Sequence, residues 1–422
     1  MFNTIEVAKD VHIHTRVTDQ FKTVNFSLKF RRPLEVEEAA ERTVLTNVLQ
    51  HSNAKFPSTA SMRMHLDDLY GTVLYLDTSK KGNEHVVILN VETVNDQYLK
   101  QVDVLGKVLD LMHTVLFEPN LEGGTFKENI VSREKEMVKE RIQSIFDDKS
   151  RYAQNRLTKI LAPNHPASIS ANGTIPAIEA ITPQSLTDTY HRMLTEDAID
   201  IYVVGDIDED KMVEGLKKAL PFGKRETTFK LKDLPKIEPT DDYVKEKQDM
   251  RQGKLHIGYS IPVFFKDADF PKMQIFNGIF GGYPHSKLFM NVREKESMAY
   301  YCSSSYSAQY GLVYVTSGID AINEQKVIQL IDDQLASMQN GEITDLELTQ
   351  TKAMLQNQLK EALDSARGQI EIYDQYKDLD EDFNVEDWQK KWQAVTKEDV
   401  VAMAKQMHKE TVYFLSGMED EK

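Results

Sequence analysis

Residues 180–210 read AITPQSLTDTYHRMLTEDAIDIYVVGDIDED, and residues 394–421 read AVTKEDVVAMAKQMHKETVYFLSGMEDE. The first opens with a threonine, Thr182, followed by a proline, the signature of a helix N-cap with proline at the first helical position. The second repeats the plan: Thr396 stands for Thr182, Met407 for Met193 and Gly417 for Gly205, with a two-residue gap just before the last strand. A helix and strand recurring mid-chain and at the end raise the expectation of a tandem duplication. The preceding segments agree. In the first half, DVHIHTRV and KTVNFSLKF alternate as strands do, a helix containing TNVLQHS follows, then SMRMHLDDLYG and the strands TVLYLDT and EHVVILNVET. An amphipathic helix, YLKQVDVLGKVLDLMHTVLF, and one long charged helix from about Phe126 to Leu161 complete the series. In the second half the strand GKLHIGYSIPVF, the helical stretches PKMQIFNGIFGG and SKLFMNVREKESMAYY, the strand YGLVYVTSGID and two further helices keep the same order. The expected fold class is α+β: two homologous tandem domains, each a sheet with helices packed on one face. Residues 223–248, poor in large aliphatics and containing Pro235 and Pro239, read as a linker between domains 1–222 and 249–422.

Composition narrows the function. Sixty-seven acidic against 51 basic residues give a formal charge of −16, which repels phosphate backbones and speaks against nucleic acid. A single cysteine, Cys302, excludes an internal disulfide and any CxxC pair. No apolar run approaches 18 residues and the start lacks an apolar core of signal-peptide length, so the expectation is a cytoplasmic protein without membrane insertion.

The helix around TNVLQHS carries the chemistry. In EEAAERTVLTNVLQH the apolar or small residues at 39, 40, 44, 45, 48 and 49 mark a buried stripe, and Asn47 and His51, four apart, share a face with Gln50 beside them. A hydrolytic zinc site needs three protein ligands plus an open position for water. Asn47 offers a neutral amide oxygen, a poor zinc ligand, and Gln50 has no basic lone pair near neutral pH to accept a proton from water. His51 alone is a good ligand.

Taken together, the tandem plan, the GDID strand end and the segment VREKESMAYY resemble the insulinase, pitrilysin and mitochondrial-processing-peptidase family of inverted zincins over nearly the whole chain. Active members carry H-x-x-E-H on a helix of the first domain; here the matching positions are Asn47, Gln50 and His51. The resemblance implies a further metal-site glutamate on the long downstream helix, with Glu140 in REKEMVKERIQS as the match and Glu134 just before it. It also implies an Arg/Tyr pair, Arg293 and Tyr300, that contributes to the substrate and the tetrahedral intermediate at a zinc site. An arginine fork and a tyrosine hydroxyl suit that work.

The implied function is the non-catalytic subunit of a heterodimeric peptidase. It would bind peptide and lend Arg293 and Tyr300 to a homologous partner that has an intact H-x-x-E-H and the zinc, with no metal in this chain. The strand 72–78, TVLYLDT, is where the resemblance places an extended peptide by strand addition. Two alternatives stay open: a stand-alone peptide-binding or scaffold protein, or an active metallopeptidase with an unorthodox site using His51, Glu140 and a further histidine such as His65 or His85. His12 and His14, two apart on a strand, lack a legible third ligand, and Cys302 reads as a buried thiol.

Overall fold

The computed structural model describes residues 2–100, 102–223, 225–227, 229–377, 379 and 384–417. Lys224 and Thr228 of the expected linker and the 418–421 end of the repeat lie outside them. The first half runs β1 (Asn3–Ala8), β2 (Val11–Val17), β3 (Thr23–Pro33), α1 (Val36–His51), α2 (Thr59–Asp68), β4 (Val73–Lys81), β5 (Glu84–Val94), α3 (Val104–Phe117), the hairpin β6 (Leu121–Glu122) and β7 (Thr125–Phe126), α4 (Glu128–Asp147), α5 (Lys149–Leu161), α6 (Ile175–Glu179), α7 (Pro183–Glu196), β8 (Ala198–Gly205) and α8 (Glu209–Ala219). The second runs β9 (Tyr243–Gln248), β10 (Gly253–Ser260), α9 (Phe270–Asn277), π-helical turns at Gly278–Gly282 and Leu288–Lys295, β11 (Tyr301–Ser307), β12 (Leu312–Ile319), α10 (Glu324–Gln339), α11 (Asp345–Leu363), α12 (Ala366–Tyr376), α13 (Val385–Ala394), α14 (Lys397–Lys405) and β13 (His408–Gly417).

The duplication is written in the sheets. The first has the order β1-β2-β8-β3-β5-β4 and the second, taken from its far end, β9-β13-β10-β12-β11. In each, the strand that follows the repeated helix lies parallel to one neighbour, β8 to β2 and β13 to β9, while the other pairings are antiparallel. Both repeated helices are capped as their sequences ask, by reciprocal bonds of Thr182 with Ser185 and of Thr396 with Asp399. The last six residues of the expected linker, YVKEKQ, form β9, because their alternating pattern suits an edge strand hydrogen-bonded on one side to β13. The long helix expected over 126–161 is two: Asp148 leaves helical geometry and its carboxylate accepts from the Ser150 and Arg151 N–H groups, starting α5 afresh.

The chain forms two compact units. Unit 1 comprises 1–144, 169–233 and 362–375; unit 2 comprises 145–168, 234–361 and 376–422. In unit 1, Phe26, Leu28 and Phe30 of β3 and Ile199, Ile201 and Val203 of β8 meet Val44, Leu45, Val48 and Leu49 of α1 and Leu111, Met112 and Val115 of α3 in the main core. The opposite face of that sheet carries Tyr202 and Val204, which pack against Ala366 and Ile370 of α12. Lys29, on the same face, reaches Glu371 at 2.8 Å and Asp374 at 3.1 Å. Unit 2 does the equivalent with α5: Leu157 and Leu161 cluster with Tyr413 and Leu415, and Gln154 bonds His256 of β10. Each unit thus keeps its principal helices on one face and borrows one helix, for the other face, from the opposite half of the sequence.

Buried titrating groups set an acid response. Burial pushes His256 down to about 3, Lys254 adding to the effect, so the ring is neutral in the fold. An unfolded histidine titrates near 6.5, so the stability carried by neutral His256 is complete above that pH and is lost below it, by roughly 2 kcal/mol between pH 6.5 and pH 5. Burial likewise pushes His85, in unit 1, down to about 3. There Asp197 runs the other way: burial, against Arg42 and Arg32, pushes it up to about 6, so the folded state gains a proton first as pH falls. Unit 2 is therefore expected to lose protection before unit 1 on acidification. Hydrogen exchange at pH 5 checks this, with β10 amides opening ahead of β3 amides; the reverse order would contradict it.

Candidate functional site

The middle of α1 is held by charge as well as by packing. Arg42, wholly buried, donates from Nη1 to Asp197 Oδ2 at 2.7 Å, from Nε to His85 Nδ1 at 3.0 Å and from Nη2 to the Phe30 carbonyl at 2.9 Å. One turn further, Asn47, Gln50 and His51 meet β4 and α4. The Leu76 N–H of β4 donates to Gln50 Oε1 at 2.7 Å. A backbone N–H can only donate, so this bond fixes which end of the amide is oxygen and leaves Gln50 Nε2 turned away, 3.5 Å from His51 Nε2. Arg141 Nη2 donates to Asn47 Oδ1 at 3.3 Å, which orients that amide in the same manner.

His51 Nδ1 stands 3.1 Å from Glu134 Oε2. Glu134 is 1% exposed, and its other oxygen takes Arg133 Nε at 2.8 Å and Nη2 at 2.6 Å. Burial by itself would raise this carboxyl, but the hydrogen bonds and charges of His51 and Arg133 outweigh it and hold the group below its usual range, as a carboxylate. Glu140 lies exposed six residues further along α4. The glutamate brought to His51 is Glu134, and the signal for it was in the sequence: Ile130, Glu134 and Val138, spaced by four, share the buried stripe of α4. Arg141, the other residue that sequence reasoning passed over, continues that stripe at its solvent end.

A hydrolytic metal does not fit this donor set. Asn47 and Gln50 present amide oxygens already committed to N–H donors, and His51 has one nitrogen turned to Glu134, so three open ligands do not converge. Among the described residues no group of three His, Cys, Asp or Glu side chains could hold a metal ion. The histidines of the unorthodox route are otherwise engaged: His85 lies between Arg42 and the Ala171 carbonyl, at 2.9 Å from the latter, and His65 stacks on Phe56 with ring centroids 4.4 Å apart. His14 bonds Thr4 Oγ1 at 2.8 Å and Asp200 Oδ1 at 2.7 Å, which uses both of its ring nitrogens.

In unit 2, Arg293 lies on the π-helical turn Leu288–Lys295 with its guanidinium 4.5 Å from the centre of the Phe289 ring and Nε 3.7 Å from Glu294 Oε1. Its side chain is 40% exposed. Tyr300 is 59% exposed, and its hydroxyl donates to Asp320 Oδ1 at 3.3 Å. Neither is a core residue. Cys302 is buried, and burial pushes its thiol up to about 12, which makes it unreactive.

Comparison with known proteins gives a consistent picture. A family model described as the peptidase M16 inactive domain matches residues 180–355. The chain is 38% identical to a Bacillus subtilis protein named probable inactive metalloprotease YmfF, over 96% of each chain. It superposes on a conserved protein from Enterococcus faecalis with a TM-score of 0.92 at 34% identity, covering 100% of both. A peptidase M16 inactive domain from Pseudomonas fluorescens, at 17% identity and TM-score 0.78 over 99% and 98% of the two chains, shares the fold.

Proposed function

The chain belongs to the peptidase M16 family as an inactive metalloprotease homologue, and from that premise we propose that it is the non-catalytic subunit of a two-chain zinc peptidase. The partner is a homologue of similar length that carries an intact H-x-x-E-H and the zinc. This chain contributes a peptide-binding wall and the Arg293/Tyr300 pair.

What carries the reading is the contrast between the two places where site residues stand. At α1 the amides are bonded into the fold and leave no metal site. Arg293 and Tyr300 are exposed and lightly held, Arg293 by a long 3.7 Å ion pair and the face of the Phe289 ring, and Tyr300 by a single 3.3 Å hydroxyl bond. An arginine fork and a phenol left at the surface suit contact with a ligand better than support of the fold.

For the peptide wall, β4 is an edge of its sheet, and Tyr70 and Gly71, both with positive φ, turn the chain into it. Val73 at its start is half-exposed. An extended peptide pairing with the edge groups of residues 72–78 other than the Leu76 N–H, which Gln50 holds, would continue the sheet. The halves in this reading are 1–222 and 249–422 joined through 223–248, and the protein works in the cytoplasm. Among the described residues no helix is long and apolar enough to cross a membrane.

The test is assembly and turnover. Purified alone, the chain is expected to bind no stoichiometric zinc by elemental analysis and to cleave no peptide in a chelator-sensitive manner. Purified from its native host, it is expected to bring along a homologue with the complete motif, and the mixture to cleave peptides that neither chain cleaves alone. One zinc per chain with chelator-sensitive turnover by this chain would sink the proposal. Binding of peptides without any such partner would make the chain a scaffold.

A further inference from the structure

A metal site is a convergence of acceptors, lone pairs aimed at a cation. The end of α1 has become the reverse. The oxygen of Gln50 is held by the Leu76 N–H and the oxygen of Asn47 by Arg141, so the other ends of both amides are donors: Gln50 Nε2, one of whose two N–H groups faces His51 Nε2 at 3.5 Å, and Asn47 Nδ2. Arg141 is exposed and adds a guanidinium, of whose donors one reaches Asn47. The nearby carboxylate, Glu134, is buried and occupied by Arg133 and His51. The side chain of His51 remains one-quarter exposed, so solvent reaches this spot. Arg133 offsets the charge of Glu134, which leaves the Arg141 guanidinium and the amide N–H donors to favour an anionic oxygen.

We propose that the former metal position of this chain is a carboxylate site, formed by Arg141, Asn47 and Gln50, that anchors an extended peptide lying along β4. The inference rests on the strand-docking reading above. It adds the chemistry of the ligand, a free carboxylate at one point of the peptide. Gln50 supplies the link between the two, because the same amide that donates toward the site is fastened by its oxygen to Leu76 of the edge strand. A carboxylate accepting from a guanidinium and two amides gains charge-assisted bonds that a neutral carboxamide forms only weakly.

The probe is a pool of fluorescein-labelled random nonapeptides lacking Asp and Glu, in three forms: free C-terminal acid, C-terminal amide, and amide with one internal glutamate. Binding is read by anisotropy and the strand by hydrogen exchange over Val73–Thr78. The free acid is expected to bind roughly 10-fold or more tightly than the amide. Arg141→Ala, at an exposed position that leaves the core intact, is expected to erase that difference, and Arg141→Lys to keep part of it. If the glutamate form regains affinity and loses it in Arg141→Ala, the carboxylate is a side chain, and the site stands. If acid and amide bind alike while β4 becomes protected, the carboxylate site is wrong and strand docking survives. If no form binds or protects β4, both ideas fall together.

Discussion

Asp374→Ala is expected to cost about 3 kcal/mol of the stability of unit 1, toward the lower end of what removing one partner of a buried ion pair costs. Lys29 is 3% exposed and sits between Asp374 and Glu371. Asp374 also accepts from the Tyr202 hydroxyl, and Arg31 lies 4.0 Å away, so its loss leaves several buried donors short of an acceptor. Glu371 has the same charge and a shorter contact, 2.8 against 3.1 Å, but its side chain is 47% exposed. Glu371→Ala should therefore cost no more than about 1 kcal/mol, as exposed pairs do. Denaturant unfolding of the two variants compares them, and equal losses would show that α12 does not hold the sheet through Asp374. A chain cut at residue 222 lacks α12 altogether and is expected to fold poorly, since its α5 has also lost the sheet of unit 2.

The second large effect is catalytic and belongs to the assembled pair. Arg293→Ala or Tyr300→Phe is expected to lower the turnover of this chain mixed with its zinc-bearing partner by about 10² to 10³, the usual loss for one oxyanion-stabilising donor. Both side chains are substantially exposed, and surface changes of this kind shift stability by only about 0.5 kcal/mol. Assembly should survive while rate falls. Turnover at saturating subunit ratio decides it, and unchanged rates for both variants would leave the chain a scaffold.

Much of the fold was legible because duplication doubles every signal. The Thr182 and Thr396 caps, the alternation in β3 and β10 and the repeated strand ends each specify an element, and their common order specifies the sheet topology. The exchange of α5 and α12 was not legible. Each helix has an ordinary amphipathic stripe, and a stripe records that a face is buried without saying which sheet buries it. The break at Asp148 was missed because a capping aspartate inside a charged helix looks like one more charge. At the site, residue types argued against a hydrolytic zinc, since a neutral amide is a poor zinc ligand and no base for water. The spacing of Ile130, Glu134 and Val138 would have chosen Glu134 over Glu140. The roles of Leu76 and Arg141 could not be read, because a backbone N–H has no sequence signature and an exposed arginine on a charged helix has no pattern to single it out.

The bonds to Gln50 and Asn47 also bear on ancestry. These are not blank positions from which a function has merely faded, since each amide has taken on a partner: the Leu76 N–H for Gln50 and the Arg141 guanidinium for Asn47. Putting histidine back at 47 gives up the acceptor for Arg141 and brings a metal-seeking lone pair beside a fixed positive charge. Glutamate at 50 would keep one oxygen on Leu76 before it could serve any water. Restoring the motif residues alone therefore gives up the Asn47 contact and still leaves the Arg141 guanidinium beside position 47, so reversal needs a change on α4 as well as on α1.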